Sequence, residues 1–217
     1  LPLHCLHHSD MSTDKATVFL VDDDDAVRDA LGLLLDSVGL RAASYPSAAA
    51  FLEHYEPGSP GCLVLDIRMP AMSGMELQAA LAEKSVNIPI IFLSGHGNVS
   101  MSAKAFRSGA VDFLEKPFDE NVLLERIHEA IRLDRSNRET NARKTDASAR
   151  LATLTRREHE VMLLIVTGHA NKEIATKLDL STRTVETHRG RIMEKTGAQS
   201  LTELMAIALE SGNHALK

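Results

Sequence analysis

Five short apolar runs constrain this chain most strongly: Thr17–Val21, Leu40–Ser44, Cys62–Leu65, Pro89–Leu93 and Val111–Leu114. Each is closed by polar or turn-forming residues, the pattern of a buried strand. Between them lie stretches with helical periodicity. In residues 26–38, Val27, Ala30, Leu31, Leu34, Leu35 and Val38 share one face, and Gly39 ends the helix. Further helices are predicted over 47–55, over 74–83 behind the N-cap Ser73, and over 98–108 before Gly109. A fifth starts near Asp119 and reads on through Ile127 and Ile131. Parallel strands need crossovers, and these helices supply them. The chain is therefore predicted to open with an α/β doubly wound domain around a five-stranded parallel sheet.

Beyond Ile131 the apolar periodicity stops. Residues 132–150 are polar and charged and read as a linker, partly helical and looser by Thr145–Ala149. From residue 151 no strand pattern returns. Thr155 and Glu158 form a capping box that opens a helix reaching Gly168. Helices over 171–178, 182–196 and 200–209 complete an all-α, four-helix domain spanning 151–212. The short second helix, the turn Asp179-Leu180-Ser181 and the longer third helix make a helix-turn-helix. Charge follows the same division: residues 11–131 hold 18 acidic and 9 basic side chains, whereas 132–217 hold 11 and 15. The basic half is the candidate for nucleic acid.

The ends are less informative. Residues 1–14 are expected to be a disordered leader or expression remnant before the first domain at 15–131. That reading outweighs metal binding by His4, Cys5, His7 and His8. Residues 213–217 read as a tail. No run of eighteen apolar residues occurs, so no membrane partner is expected. Two distant cysteines, Cys5 and Cys62, give no disulfide framework and fit a reducing cytoplasm.

Ligands of an open parallel sheet collect beyond the carboxyl ends of its strands. Asp66 stands at such an end. Asp22 and Asp23 follow the first strand, which neighbours the third in the order 2-1-3-4-5, so the three carboxylates converge. A hard divalent cation resolves their repulsion, and Mg²⁺ suits a few oxygens plus waters. The fourth strand ends on the Ser94 hydroxyl and the fifth on the Lys116 ammonium. A carboxylate nucleophile with a metal, a hydroxyl and a lysine is the set that phosphoryl transfer to Asp requires. Asp24 and Asp25 read together as an N-terminal helix charge and cap.

Val21-Asp22-Asp23, Leu65-Asp66-Ile67-Arg68-Met69-Pro70, Ser94-Gly95-His96-Gly97 and Phe113-Leu114-Glu115-Lys116-Pro117-Phe118 together resemble the receiver domain of two-component response regulators, a flavodoxin-like fold. The resemblance makes Asp66 the phosphoacceptor. It implies Mg²⁺ on Asp23, Asp66 and the backbone carbonyl of Arg68, with Asp22 acting through water. It gives Ser94 and Phe113 the switch positions and pairs Lys116 with the phosphoryl group, before a cis Lys116–Pro117 bond.

Leu154–Glu158, Asn171–Ala175 and Ser181–Arg189 are similar to the LuxR-type DNA-binding domain. The order of the two modules places the chain with the FixJ/NarL group. On the third helix Val185, Ile192 and Met193 form the core stripe. Candidate contacts to double-stranded DNA are Arg183, Thr184, Glu186, Thr187, His188, Arg189, Arg191 and Lys195 on that helix, with Asn171 and Lys172 before the turn. Basic groups would neutralise phosphates, while Glu186 and Thr187 would read bases. Glu186 and Gly190 depart from relatives that carry lysines there.

The resemblance implies a cytoplasmic transcriptional regulator and not an enzyme. A sensor histidine kinase would phosphorylate Asp66. The protein would then form a homodimer on DNA, two recognition helices about one turn apart, and act on RNA polymerase. The alternative is a regulator whose receiver is only an interaction module. A metal-dependent phosphatase also phosphorylates an Asp after a strand, but Arg68 stands where its general acid belongs.

Overall fold

The computed structural model describes residues 16–95 and 111–212. The helix expected over 98–108, the leader and the tail lie outside the described residues. The chain divides into two compact units, 1–137 and 138–217.

The first unit is built on strands β1 (Thr17–Val21), β2 (Arg41–Tyr45), β3 (Gly61–Asp66), β4 (Ile90–Ser94) and β5 (Asp112–Glu115). All pairs are parallel, in the order β2-β1-β3-β4-β5 on which the convergence of the acids depends. Every residue of β3 and β4 is buried. That is why these segments read as unbroken apolar runs: a central parallel strand is covered on both faces. Helices α1 (Asp25–Ser37), α2 (Ala48–His54) and α3 (Gly74–Glu83) follow the first three strands. One face of the sheet packs Phe19, Phe51, Leu65, Leu77 and Phe92; the other packs Val18, Leu31, Leu35, Val64, Ile91 and Ile127.

Two glycines are fixed by close approach. A Cβ on Gly61 would sit 1.8 Å from the carbonyl oxygen of Thr17, and φ there is +148°. A Cβ on Gly74 would sit 2.3 Å from the carbonyl oxygen of Asp66, so only glycine lets α3 start against the end of β3. Ser73 caps α3 in a capping box with Glu76, and those hydrogen bonds hold the Glu76 carboxyl below its usual range.

Helix α4 runs unbroken from Glu120 to Ala152, which corrects the expected loosening at 145–149. The helical stripe continues past Ile127, Ala130 and Ile131 through an acid. Asp134 is only 3% exposed, and its Oδ2 accepts the Gly61 N–H at 3.0 Å. A search for apolar periodicity therefore loses the buried stripe one turn early. Farther on, i,i+4 pairs Glu139–Arg143 and Asp146–Arg150 support the helix while it buries little.

In the second unit Ala147 and Leu151, one turn apart on α4, join a separate core. Helices α5 (Arg156–Val166), α6 (Asn171–Leu178), α7 (Thr182–Thr196) and α8 (Leu201–Glu210) complete it. Val161, Met162, Ile174, Val185, Ile192 and Leu204 form its centre. The expected capping box at Thr155 and Glu158 is present. Asp179, in the left-handed region at φ +52°, turns the chain from α6 into the approach to α7.

Candidate functional site

The carboxyl ends of β1, β3 and β5 bring three charged side chains together. Lys116 donates from Nζ to Asp22 Oδ2 and to Asp66 Oδ1, both at 2.7 Å. Asp22 is 3% and Asp66 6% exposed, so the ion pairs lie largely out of water. Burial alone would lower the Lys116 pKa, but the hydrogen bonds to Asp22 and Asp66 and their charges outweigh it and hold the ammonium above the ordinary lysine value.

Both carboxylates are anchored further by backbone. Asp22 Oδ1 accepts the Asp24 N–H at 3.0 Å, and Asp66 Oδ2 accepts the Arg68 N–H at 2.6 Å. Asp66 thus has one oxygen on an ammonium and the other on the loop behind it. Arg68 engages the site through its N–H, while its side chain is exposed.

Asp23 is exposed and has no hydrogen bond or ion pair among the described residues. Asp24 caps α1 by accepting the Ala26 N–H at 2.9 Å, and Asp25 lies in the first turn, as the acid run predicts. Ser94 is buried one residue beyond Leu93, which pairs with Asp66 in the sheet. Its carbonyl accepts the Lys116 N–H at 2.7 Å, registering the lysine against β4. Lys116–Pro117 is cis. Phe113 is half-buried against the core that holds Leu65 and Phe92.

No group of three His, Cys, Asp or Glu side chains among the described residues is already gathered for a metal. The donor chemistry nevertheless fits a hard cation: Asp22, Asp23 and Asp66 outnumber the one ammonium between two of them, and all three offer carboxylate oxygens.

In the second unit α6 and α7 form the helix-turn-helix. Lys172, Arg183, Glu186, Thr187 and Arg191 are exposed. Other candidates are engaged within the fold. Thr184 completes the α7 cap with Ser181, both through its N–H at 3.0 Å and through its hydroxyl at 2.7 Å. Arg189 donates to Asn171 Oδ1 at 3.2 Å. His188 is half-buried and its Nδ1 has no partner among the described residues. Lys195 donates to Glu158 Oε2 at 2.6 Å. Glu158 is 2% exposed; its bond from Lys195, then those from Thr155, hold its carboxyl down at about 2.

The two units match two family models. Residues 18–128 match the response regulator receiver domain, and 152–208 match the bacterial regulatory proteins of the LuxR family. The chain belongs to the response regulators. It is 42% identical over 201 residues to the transcriptional regulatory protein TdiR of Thauera aromatica, covering 93% of this chain and 88% of that protein. It is 40% identical over 200 residues to FixJ of Bradyrhizobium diazoefficiens, covering 92% and 98%. The structure of response regulator StyR matches with a TM-score of 0.81 and 41% identity, covering 90% of this chain and 99% of that one. The relatives place this response regulator in the FixJ/NarL group, a transcriptional regulator and not an enzyme. Among its described residues no helix is long and apolar enough to cross a membrane.

Motif spacing did not flag Arg28 or Gly74 in this response regulator, and it gave Glu158 only as a cap. Arg28 donates from Nη1 to the Asp22 carbonyl at 2.7 Å and pairs through Nη2 with Asp25. Gly74 makes room beneath Asp66. Glu158 holds Lys195 as well as capping α5. The only sequence signal for Arg28 was a cation on the first turns of a helix that starts with acids; a spacing of six from Asp22 names no contact by itself.

Proposed function

We propose that this response regulator is switched by phosphorylation of Asp66 by a sensor histidine kinase in the cytoplasm. Phosphorylation promotes homodimer formation and promoter binding through α7, and so changes the access of RNA polymerase to its targets. The observation that carries the reading is the half-buried Lys116 ammonium held 2.7 Å from both buried carboxylates, Asp22 and Asp66, at the sheet's carboxyl edge.

An Asp66 carboxylate oxygen attacks phosphorus, the P–N bond to the kinase histidine breaks, and an aspartyl phosphate forms as the histidine leaves. Lys116 is already within reach of the oxygen charge that arrives, and Asp22 keeps it charged. The Arg68 N–H orients Asp66. Asp22, Asp23, Asp66 and the Arg68 carbonyl are the groups that would hold Mg²⁺. When bound, that ion neutralises phosphoryl oxygens. Ser94, buried at the neighbouring strand end, donates a hydrogen bond from its hydroxyl to the new phosphoryl group, and Phe113 repacks with it.

For DNA, the exposed candidates not bonded to another helix are Lys172, Arg183, Glu186, Thr187 and Arg191. Lys172, Arg183 and Arg191 suit phosphates, while Glu186 and Thr187 suit base edges. Thr184, His188, Arg189, Asn171 and Lys195 support this surface and contact the duplex only secondarily.

The test is phosphorylation of the full chain by a small-molecule phosphodonor with Mg²⁺, read by intact mass. The wild-type chain is expected to gain one phosphoryl group and to dimerise on DNA, and Asp66→Asn to do neither. Undiminished phosphorylation of Asp66→Asn would overturn the assignment.

A further inference from the structure

Four consecutive carboxylates, Asp22 to Asp25, run from the end of β1 into the first turn of α1. Such a run repels itself and tends to open the loop. Its side chains are tied in several directions: Asp22 to Lys116 and to the Asp24 N–H, Asp24 to the Ala26 N–H. The backbone of Asp22 is held mainly by one side chain. Arg28 reaches back from α1, with 12% of its side chain exposed, and donates at 2.7 Å to the Asp22 carbonyl. Its other terminal nitrogen pairs with the Asp25 carboxylate. The sheet side of Asp22 adds only a long bond of 3.4 Å from its N–H to Tyr45.

We infer that Arg28 is a positioning residue of the acidic site, clamping the Asp22–Asp25 loop so that the Asp22 and Asp23 carboxylates can meet a divalent cation together with Asp66. The inference rests on the reading of Asp66 given above. Arg28 touches none of the reacting atoms. A guanidinium suits the role because its fork reaches a carbonyl and a carboxylate at once, which a single ammonium does not. Asp23 gives the clamp its consequence. With no partner of its own among the described residues, its carboxylate goes where the loop backbone sends it.

Charge and positioning predict opposite outcomes. As a mere positive charge near the acids, Arg28 would oppose cation binding. Its replacement by Gln would then tighten Mg²⁺, and replacement by Lys would change nothing. As a clamp, both replacements weaken Mg²⁺.

The experiment is calorimetric titration of the full chain with Mg²⁺ alone, for wild type, Arg28→Gln and Arg28→Lys. Loss of one charge-assisted bond to backbone predicts about tenfold weaker binding in both variants. Phosphorylation by a small-molecule donor is expected to slow at low Mg²⁺ and to recover at saturating Mg²⁺. Tighter binding by Arg28→Gln, or unchanged binding by Arg28→Lys, overturns the inference. Arg28→Lys decides alone if Arg28→Gln fails to fold. The titration uses no phosphodonor, so it stands even if Asp66 proves not to be the acceptor, an outcome that the Asp66→Asn comparison would reveal separately.

Discussion

Replacing Lys195 by Met tests whether that lysine belongs to the fold of the second domain or to DNA. Glu158 is buried, accepts Lys195 Nζ at 2.6 Å, and also accepts the N–H and hydroxyl of Thr155 at 2.8 and 3.0 Å. Its carboxyl sits at about 2 against an ordinary 4.5, which corresponds to at most about 3 kcal/mol of stabilisation shared among these partners. The Lys195 side chain is 34% exposed, so solvent screens its share. The loss on Lys195→Met is then about 1–2 kcal/mol, below the cost of breaking a fully buried pair. The sign follows from the lowered carboxyl. The stabilisation is complete above the unfolded value near 4.5 and is lost as pH falls toward about 2. The difference between variant and wild type must therefore shrink over that interval. Hydrogen exchange of α5 and α7 amides in the full chain reads it locally, without assuming that two domains unfold together. A difference that stays constant with pH would refute the pairing. So would a Lys195→Met variant that keeps its stability but whose DNA affinity loses about one from its salt slope, the mark of a missing phosphate contact.

Two further outcomes follow from buried groups of the first domain. Asp134→Ala leaves the Gly61 N–H unsatisfied at a buried position and should destabilise the first domain by about 1–3 kcal/mol in denaturant titration. Burial, and then the nearby Asp134 charge, push the Cys62 thiol up, so alkylation of native protein at pH 8 should be far slower than after unfolding in urea.

The architecture of the first domain was legible because a parallel sheet writes itself plainly. Buried strands such as Cys62–Leu65 must be apolar, and crossovers must be helical, so the alternation yields the parallel sheet, and the order observed is the flavodoxin-like one assumed for the site. The acidic site was legible for the same reason. Strand ends are known once strands are known, and Asp22, Asp66, Ser94 and Lys116 are strand-end residues. What stayed hidden depends on a side chain from elsewhere. Asp134 extends the buried stripe of α4 with a carboxylate because the Gly61 N–H waits for it 73 residues away. Arg28 is recognisable only once α1 is placed over the β1 end.

The same distinction explains why the nucleic-acid surface read less well than the acidic one. On a sheet edge, converging charges have few directions in which to go, and like charges forced together require a counter-ion. On α7 every third or fourth residue faces a neighbouring helix, and a basic side chain can serve that neighbour as readily as a phosphate. Lys195 serves Glu158 and Arg189 serves Asn171, although both have the composition of phosphate contacts. Intramolecular acceptors close at hand cost less to reach than a partner that must first be bound. Basic residues in a helix-turn-helix are therefore better sorted by the carboxylates and amides within reach of each than by their charge alone. By that criterion Arg183 and Arg191, exposed and unpaired among the described residues, are the α7 cations that the fold itself leaves unused.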